Sequence, residues 1–145
     1  MKNIKTLKLI LSGIALLIVC NTAKASSYAG GENLTKTYAI NTYVDAMTRG
    51  KLQGLNDVVD QNAKFSMLSG KKILSFTRDQ MFELLKLNKN VEEDCTTSTS
   101  IMESNSDLAV VKVDMQFVGF VRSNYVTIAN TGKGWKITNV YSVFK

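Results

Sequence analysis

Few residues in this chain could do chemistry, and their spacing limits it further. There is no histidine, so Ser-His-Asp and Cys-His nucleophilic catalysis are impossible, and a zinc site would need carboxylates around one thiolate. Glu92-Glu93-Asp94 is an acidic cluster that could suggest a cation site, but no ligand-spaced loop surrounds it and a solvated turn is the preferred reading. No metal site is expected. Asp45 lies two residues from both Tyr43 and Met47, which turns it roughly 200° from the apolar stripe of its helix and toward water. What remains is a set of amides and phenols, Asn124, Asn139, Tyr141 and Tyr43. Such groups hold ligands but rarely abstract protons.

The elements that must position these groups follow from periodicity. From Leu34 to Arg49, Ala39, Ile40, Tyr43, Val44 and Met47 recur at helical spacing, with Asn33 as the expected cap and Gly50 as the stop. Asn33-Leu34-Thr35 is also a glycosylation sequon, but capping is preferred. A second, shorter helix carries Leu52, Leu55 and Val59 on one side. Alternation then puts Ala63, Phe65 and Met67 on one strand face, Ser69-Gly70-Lys71-Lys72 reads as a turn, and Ile73 to Phe76 as a short strand. Thr77-Arg78-Asp79-Gln80 is a capping box opening a helix whose buried face is Met81, Phe82, Leu84 and Leu85.

Cys95 to Lys145 reads as four strands. Ala109, Val111, Val113, Met115 and Phe117 alternate with Val110, Lys112, Asp114 and Gln116, which gives one apolar and one mainly polar face. Pairing across Gly119-Phe120 puts Asn124, Val126 and Ile128 on the apolar face, with Tyr125 and Thr127 opposite. Gly132-Lys133 suits a type II′ hairpin that sets Ile128 against Ile137. The inward face then gains Trp135, Ile137, Asn139 and Tyr141, in a register that one bulge would shift.

At the N-terminus, Lys2, Lys5 and Lys8 precede an apolar run from Leu9 to Cys20 and then Ala23-Lys24-Ala25, the order of a secretory signal peptide cleaved after Ala25. The run is too short and interrupted for a membrane span of roughly 20 residues. Lipid attachment at Cys20 is the disfavoured alternative, because bulky Val19 precedes it. Residues 1–25 are thus read as signal, 26–33 as a flexible leader and 34–145 as one domain, exported to the periplasm or secreted. Four lysines leave with the signal while all 12 acidic residues stay, so the formal charge of +6 falls to +2. Neither nucleic acid nor, after cleavage, a membrane is an expected partner. Cys20 leaves as well, and Cys95 remains as a lone thiol, buried in a strand by preference or else paired between subunits.

Helices followed by long antiparallel strands give an α+β class. The residues Tyr43-x-x-Ala46-x-x-x-Gly50-Lys51-Leu52-x-Gly54-Leu55, then Phe65, then Gly134-Trp135-Lys136-Ile137-x-Asn139 resemble the nuclear-transport-factor-2-like superfamily, and within it the exported SnoaL-like and lumazine-binding branch. The resemblance spans nearly all of residues 34–145. It implies a cone-shaped, curved antiparallel sheet of the cystatin-like kind with N-terminal helices on its concave face, a pocket between them, and a homodimer. The superfamily holds both enzymes and binders, so fold alone does not choose. Members resembling ketosteroid isomerases need a carboxylate or histidine in the pocket.

The expected function is a non-catalytic binding or accessory domain for a small apolar or aromatic ligand, without cofactor. Its pocket would be lined by Tyr43, Met47, Phe65, Met115, Phe117, Trp135 and Tyr141, with Asn124 and Asn139 orienting the ligand. A filled core is the competing reading of the same aromatics. A small isomerase, dehydratase or cyclase using Asp57, Asp60 or Asp114 as base is one alternative. A structural dimer using an outer face around Tyr125, Val140 and Phe144 is the other.

Overall fold

The first helix, α1, spans Lys36–Arg49, and its start is set by Thr35, whose hydroxyl accepts from the Tyr38 amide at 3.0 Å. A computed structural model describes residues 35–145. The signal peptide and the whole of the 26–33 leader, the expected cap Asn33 included, lie outside the described residues. Ala39, Ile40, Tyr43 and Ala46 form the buried stripe, and Asp45 faces outward with its carboxylate on Arg49 at 2.6 Å. Gly50 ends the helix in the left-handed region at φ +60, where L side chains are strained, and a Cβ there would lie 2.3 Å from the Asn88 carbonyl oxygen.

The second helix is shorter than expected. α2 is the single turn Leu55–Val58, and Val59, expected on that helix, already begins strand β1 (Val59–Ser69). Two adjacent β-branched valines favour the change to extended chain, and Val59 pairs with Ile137. Gly70-Lys71 turns β1 into β2 (Lys72–Thr77), with Ser69 opposite Lys72. The capping box forms as expected and opens α3 (Arg78–Leu87), Thr77 and Gln80 each bonding the other's backbone amide. On α3, Met81 is buried with Phe82 and Leu85 packed beside it, whereas Leu84, expected in that face, is exposed. The buried stripe centres between Met81 and Phe82, which leaves Leu84 about 110° from it.

The last four strands are β3 (Thr96–Ser104), β4 (Leu108–Phe117), β5 (Phe120–Asn130) and β6 (Trp135–Phe144). They join β1 and β2 in one curved open sheet, ordered β2-β1-β6-β5-β4-β3. All neighbours are antiparallel except β1 and β6, which run parallel. The β5–β6 hairpin turns at Gly132 (φ +75), and Ile128 faces Ile137 as expected. One face of β4 and β5, Ala109, Val111, Val113, Met115, Val126 and Ile128, is buried with α1 in a single core. Among the described residues no helix is long and apolar enough to cross a membrane.

Candidate functional site

Parity along β6 decides which side chains reach the concave interior. Ile128 faces Ile137 but Thr127 faces Asn139, so Thr138 is an extra residue, and its hydroxyl donates to the Thr127 carbonyl at 3.4 Å. Beyond such a bulge every side chain changes face. Val140 is therefore buried beside Phe65 and Val126, and Ser142 lies opposite inward Asn124. Asn139 and Tyr141, expected in the pocket, are carried to the outer face, Tyr141 opposite Tyr125. The same shift corrects the outer-face group, since Val140 is buried on the inner face, Phe144 is on that face too but exposed at the strand's end, and only Tyr125 is on the outer face.

A narrow cavity of about 60 Å³ remains between helices and sheet. Its wall takes Tyr43 and Met47 from α1, Phe65, Ser66 and Met67 from β1, Phe76 from β2 and Met81 from α3. Arg122 from β5 and Val140, Ser142 and Phe144 from β6 complete it. Three expected site residues, Tyr43, Met47 and Phe65, are thus brought together. Asn124 and Met115 are fully buried just behind the wall. Phe117 stacks on Phe120 at 4.6 Å, at the turn end of the β4–β5 hairpin. Trp135 lies at the start of β6 beneath the Lys36 ammonium, 4.3 Å from its ring centroid, and does not line the cavity.

The polar interior centres on Tyr43. The Asn124 amide donates to the Tyr43 hydroxyl at 2.9 Å, and Asn124 Oδ1 has no partner among the described residues. Burial drives the Tyr43 phenol far above its ordinary pKa, opposed in part by Arg122 and by the Asn124 bond, so it stays protonated at physiological pH.

Arg122 is the charge that reasoning from carboxylates missed. Its side chain is 16% exposed and its Nη2 donates to Glu93 at 3.0 Å, while Nε and Nη2 also approach the Met115 sulfur at 3.2 and 2.8 Å. The alternation that puts Asn124, Val126 and Ile128 inside puts Arg122 inside too, so the signal was present. Glu93 comes from the acidic cluster expected to be a solvated turn. Its backbone is tied to α1 through the Thr48 carbonyl at 2.7 Å, and its carboxylate serves the guanidinium. Cys95, expected within a strand, is half-buried in the segment just before β3, and burial first and Glu93 second raise its thiol pKa.

None of the three candidate bases lines the cavity. Asp57 is exposed, Asp60 accepts from the Asn62 backbone N–H at 2.8 Å, and Asp114 sits on the outer face with Lys112 at 2.8 Å. A wider groove of about 500 Å³ lies between α2 and α3 and is open to solvent. Its Arg78 is already engaged by Asn56, by Asp79 at 3.3 Å and by the Phe82 ring at 4.3 Å. No group of acidic, cysteine or histidine side chains placed to hold a metal occurs among the described residues.

A protein-family profile described as "Putative lumazine-binding" matches residues 34–142. The chain belongs to that family. No curated protein matches it in sequence. Solved structures do. A nuclear-transport-factor-2-like protein of unknown function from Silicibacter pomeroyi is 23% identical at TM-score 0.61, covering 75% of this chain and 90% of that one. A cystatin-like fold protein from Burkholderia xenovorans is 12% identical at TM-score 0.58, over 79% and 92%. A ketosteroid isomerase-like protein from Erwinia carotovora atroseptica is 12% identical at TM-score 0.58, over 79% and 97%. At these identities the structures establish the nuclear-transport-factor-2-like fold for this family member.

Proposed function

We propose that this protein is an exported, non-catalytic binding domain that takes a small, largely apolar ligand into the cavity beneath α1. The observation that carries this reading is the composition of the cavity wall, which is apolar except for Tyr43, two serines and Arg122 and contains no carboxylate. Proton abstraction needs a base within reach of the substrate, and Asp57, Asp60 and Asp114 all lie elsewhere. The family's description and the ketosteroid isomerase-like neighbour point to small molecules as the class of partner.

At about 60 Å³ the cavity holds roughly two waters, whereas ligand pockets run to about 300–1,000 Å³. Entry therefore requires widening, and Met47, Met67 and Met81 supply it, because unbranched thioether side chains change rotamer at low cost. A homodimer through the outer face of β4–β6 fits this reading, as the half-buried Tyr125, Tyr141 and Val143 share that face. Sedimentation of the mature chain as a dimer, reduced to monomer by Tyr125→Glu, is the expected outcome.

The test of binding is mass spectrometry of small molecules retained through native purification. Wild type and Asn139→Leu, altered on the outer face, should retain the same ligand, and Ser142→Met, which fills the cavity, should lose it. Loss in Asn139→Leu with retention in Ser142→Met, or no retained molecule in any of them, would count against the proposal.

A further inference from the structure

Within the cavity, hydrogen-bond donors and acceptors are unbalanced. A guanidinium offers five N–H donors in a fixed fork. Among the described residues Arg122 has one strong acceptor, a single Glu93 oxygen at 3.0 Å. Its other partners are weak ones, the thioether of Met115 and the face of the Phe117 ring, 5.4 Å from the guanidinium carbon to the ring centroid, and neither supplies an anionic acceptor. The Tyr43 hydroxyl, kept protonated by burial, lines the same wall and accepts from Asn124, so its own proton is still to be placed. Ser142 lines the same cavity, so an otherwise apolar wall carries donors and one positive charge at Arg122.

Glu93 is suited to leave the guanidinium. It is the more exposed partner, at 36% against 16% for Arg122. Its backbone is fixed independently by the Thr48 carbonyl, so the carboxylate can swing to water without unfastening the segment between α3 and β3. A buried guanidinium deprived of its carboxylate is costly unless another anion replaces it, and a planar carboxylate matches the fork with two parallel bonds where Glu93 supplies one.

We propose that Arg122 is the recognition residue for a ligand carboxylate, and that Glu93 occupies this role while the cavity is empty. This rests on the small-ligand reading above and gives that ligand its chemical class, an apolar or aromatic body ending in a carboxylate. The carboxylate takes the Arg122 fork and the Tyr43 proton, and the body lies among Met47, Met67 and Phe65. Glu93 is thus an internal competitor, and its displacement sets a cost that weakens binding.

Calorimetric titration with benzoate and benzamide, and with hexanoate and hexanamide, separates charge from shape. The acids should bind the wild-type chain at least about tenfold tighter than their amides, the scale of one charge-assisted bond. Arg122→Gln should erase the preference, and Arg122→Lys should restore part of it. Glu93→Gln should tighten the acids by about tenfold and leave the amides unchanged. Equal binding of acid and amide, or weaker acid binding in Glu93→Gln, overturns the carboxylate proposal while the small-ligand reading stands. Absence of binding by all four compounds to wild type and Glu93→Gln overturns both. If Arg122→Gln does not fold, Glu93→Gln decides alone, because it leaves the guanidinium in place.

Discussion

Tyr43 and Asn124 show how a polar pair can define a core. Their bond joins α1 to β5 across 81 residues of sequence, and both side chains are buried. Tyr43→Phe leaves a buried amide unmet and should cost about 1–3 kcal/mol, read by urea unfolding. Combining it with Asn124→Leu should recover most of that loss, since an apolar pair of similar shape leaves nothing unsatisfied. Failure of the double variant to recover would mean the hydroxyl matters through another contact. The sequence showed both residues to be inward and polar but not that they bond each other, because a helix–sheet contact of this separation leaves no local pattern. Arg122 was equally inward by alternation.

Among the elements, those with a local chemical signature were legible and those set by tertiary pairing were not. The capping box at Thr77, the hairpin at Gly132 and the alternation of β4 all follow from neighbours within a few residues. The bulge at Thr138 does not, since Asn139, Val140 and Tyr141 suit either face of a sheet and only β5 and β1 together fix the choice. Two predictions belong here. Thr77→Ala should lower stability by about 1 kcal/mol through loss of the α3 cap. Gly50→Ala should cost more than the ~1–2 kcal/mol of a left-handed alanine, because the new Cβ also meets the Asn88 carbonyl. Thermal unfolding of the two variants side by side measures both, and a Gly50→Ala protein no less stable than Thr77→Ala would contradict the packing described at the end of α1.

Over the whole molecule, the sheet separates two chemistries, an apolar chamber with one cation inside and a polar surface outside. On that surface partial burial opposes the Asp114 charge, but bonds from Lys112 and then Ser123 together outweigh it and hold the carboxyl below its ordinary pKa. In the unfolded chain the group returns to about 3.9. Its contribution is therefore complete above that value and is lost as pH falls through the lower, folded one. Asp114→Asn should flatten the acid limb of the stability curve below about pH 4 and leave ligand binding intact, and loss of binding in that variant would return the carboxylate to candidacy as a base. The order of elements made the overall fold readable from sequence, whereas the width of the chamber, set by many side chains at once, was not.

The most direct test of ligand entry beneath α1 is methyl NMR of methionine-labelled protein during titration with benzoate. Met47, Met67 and Met81 line the chamber, and Met102 sits exposed on edge strand β3. The three chamber methyls should shift together and saturably while the Met102 methyl stays fixed. Movement of Met102 with the chamber methyls unmoved would place the ligand elsewhere and contradict the account.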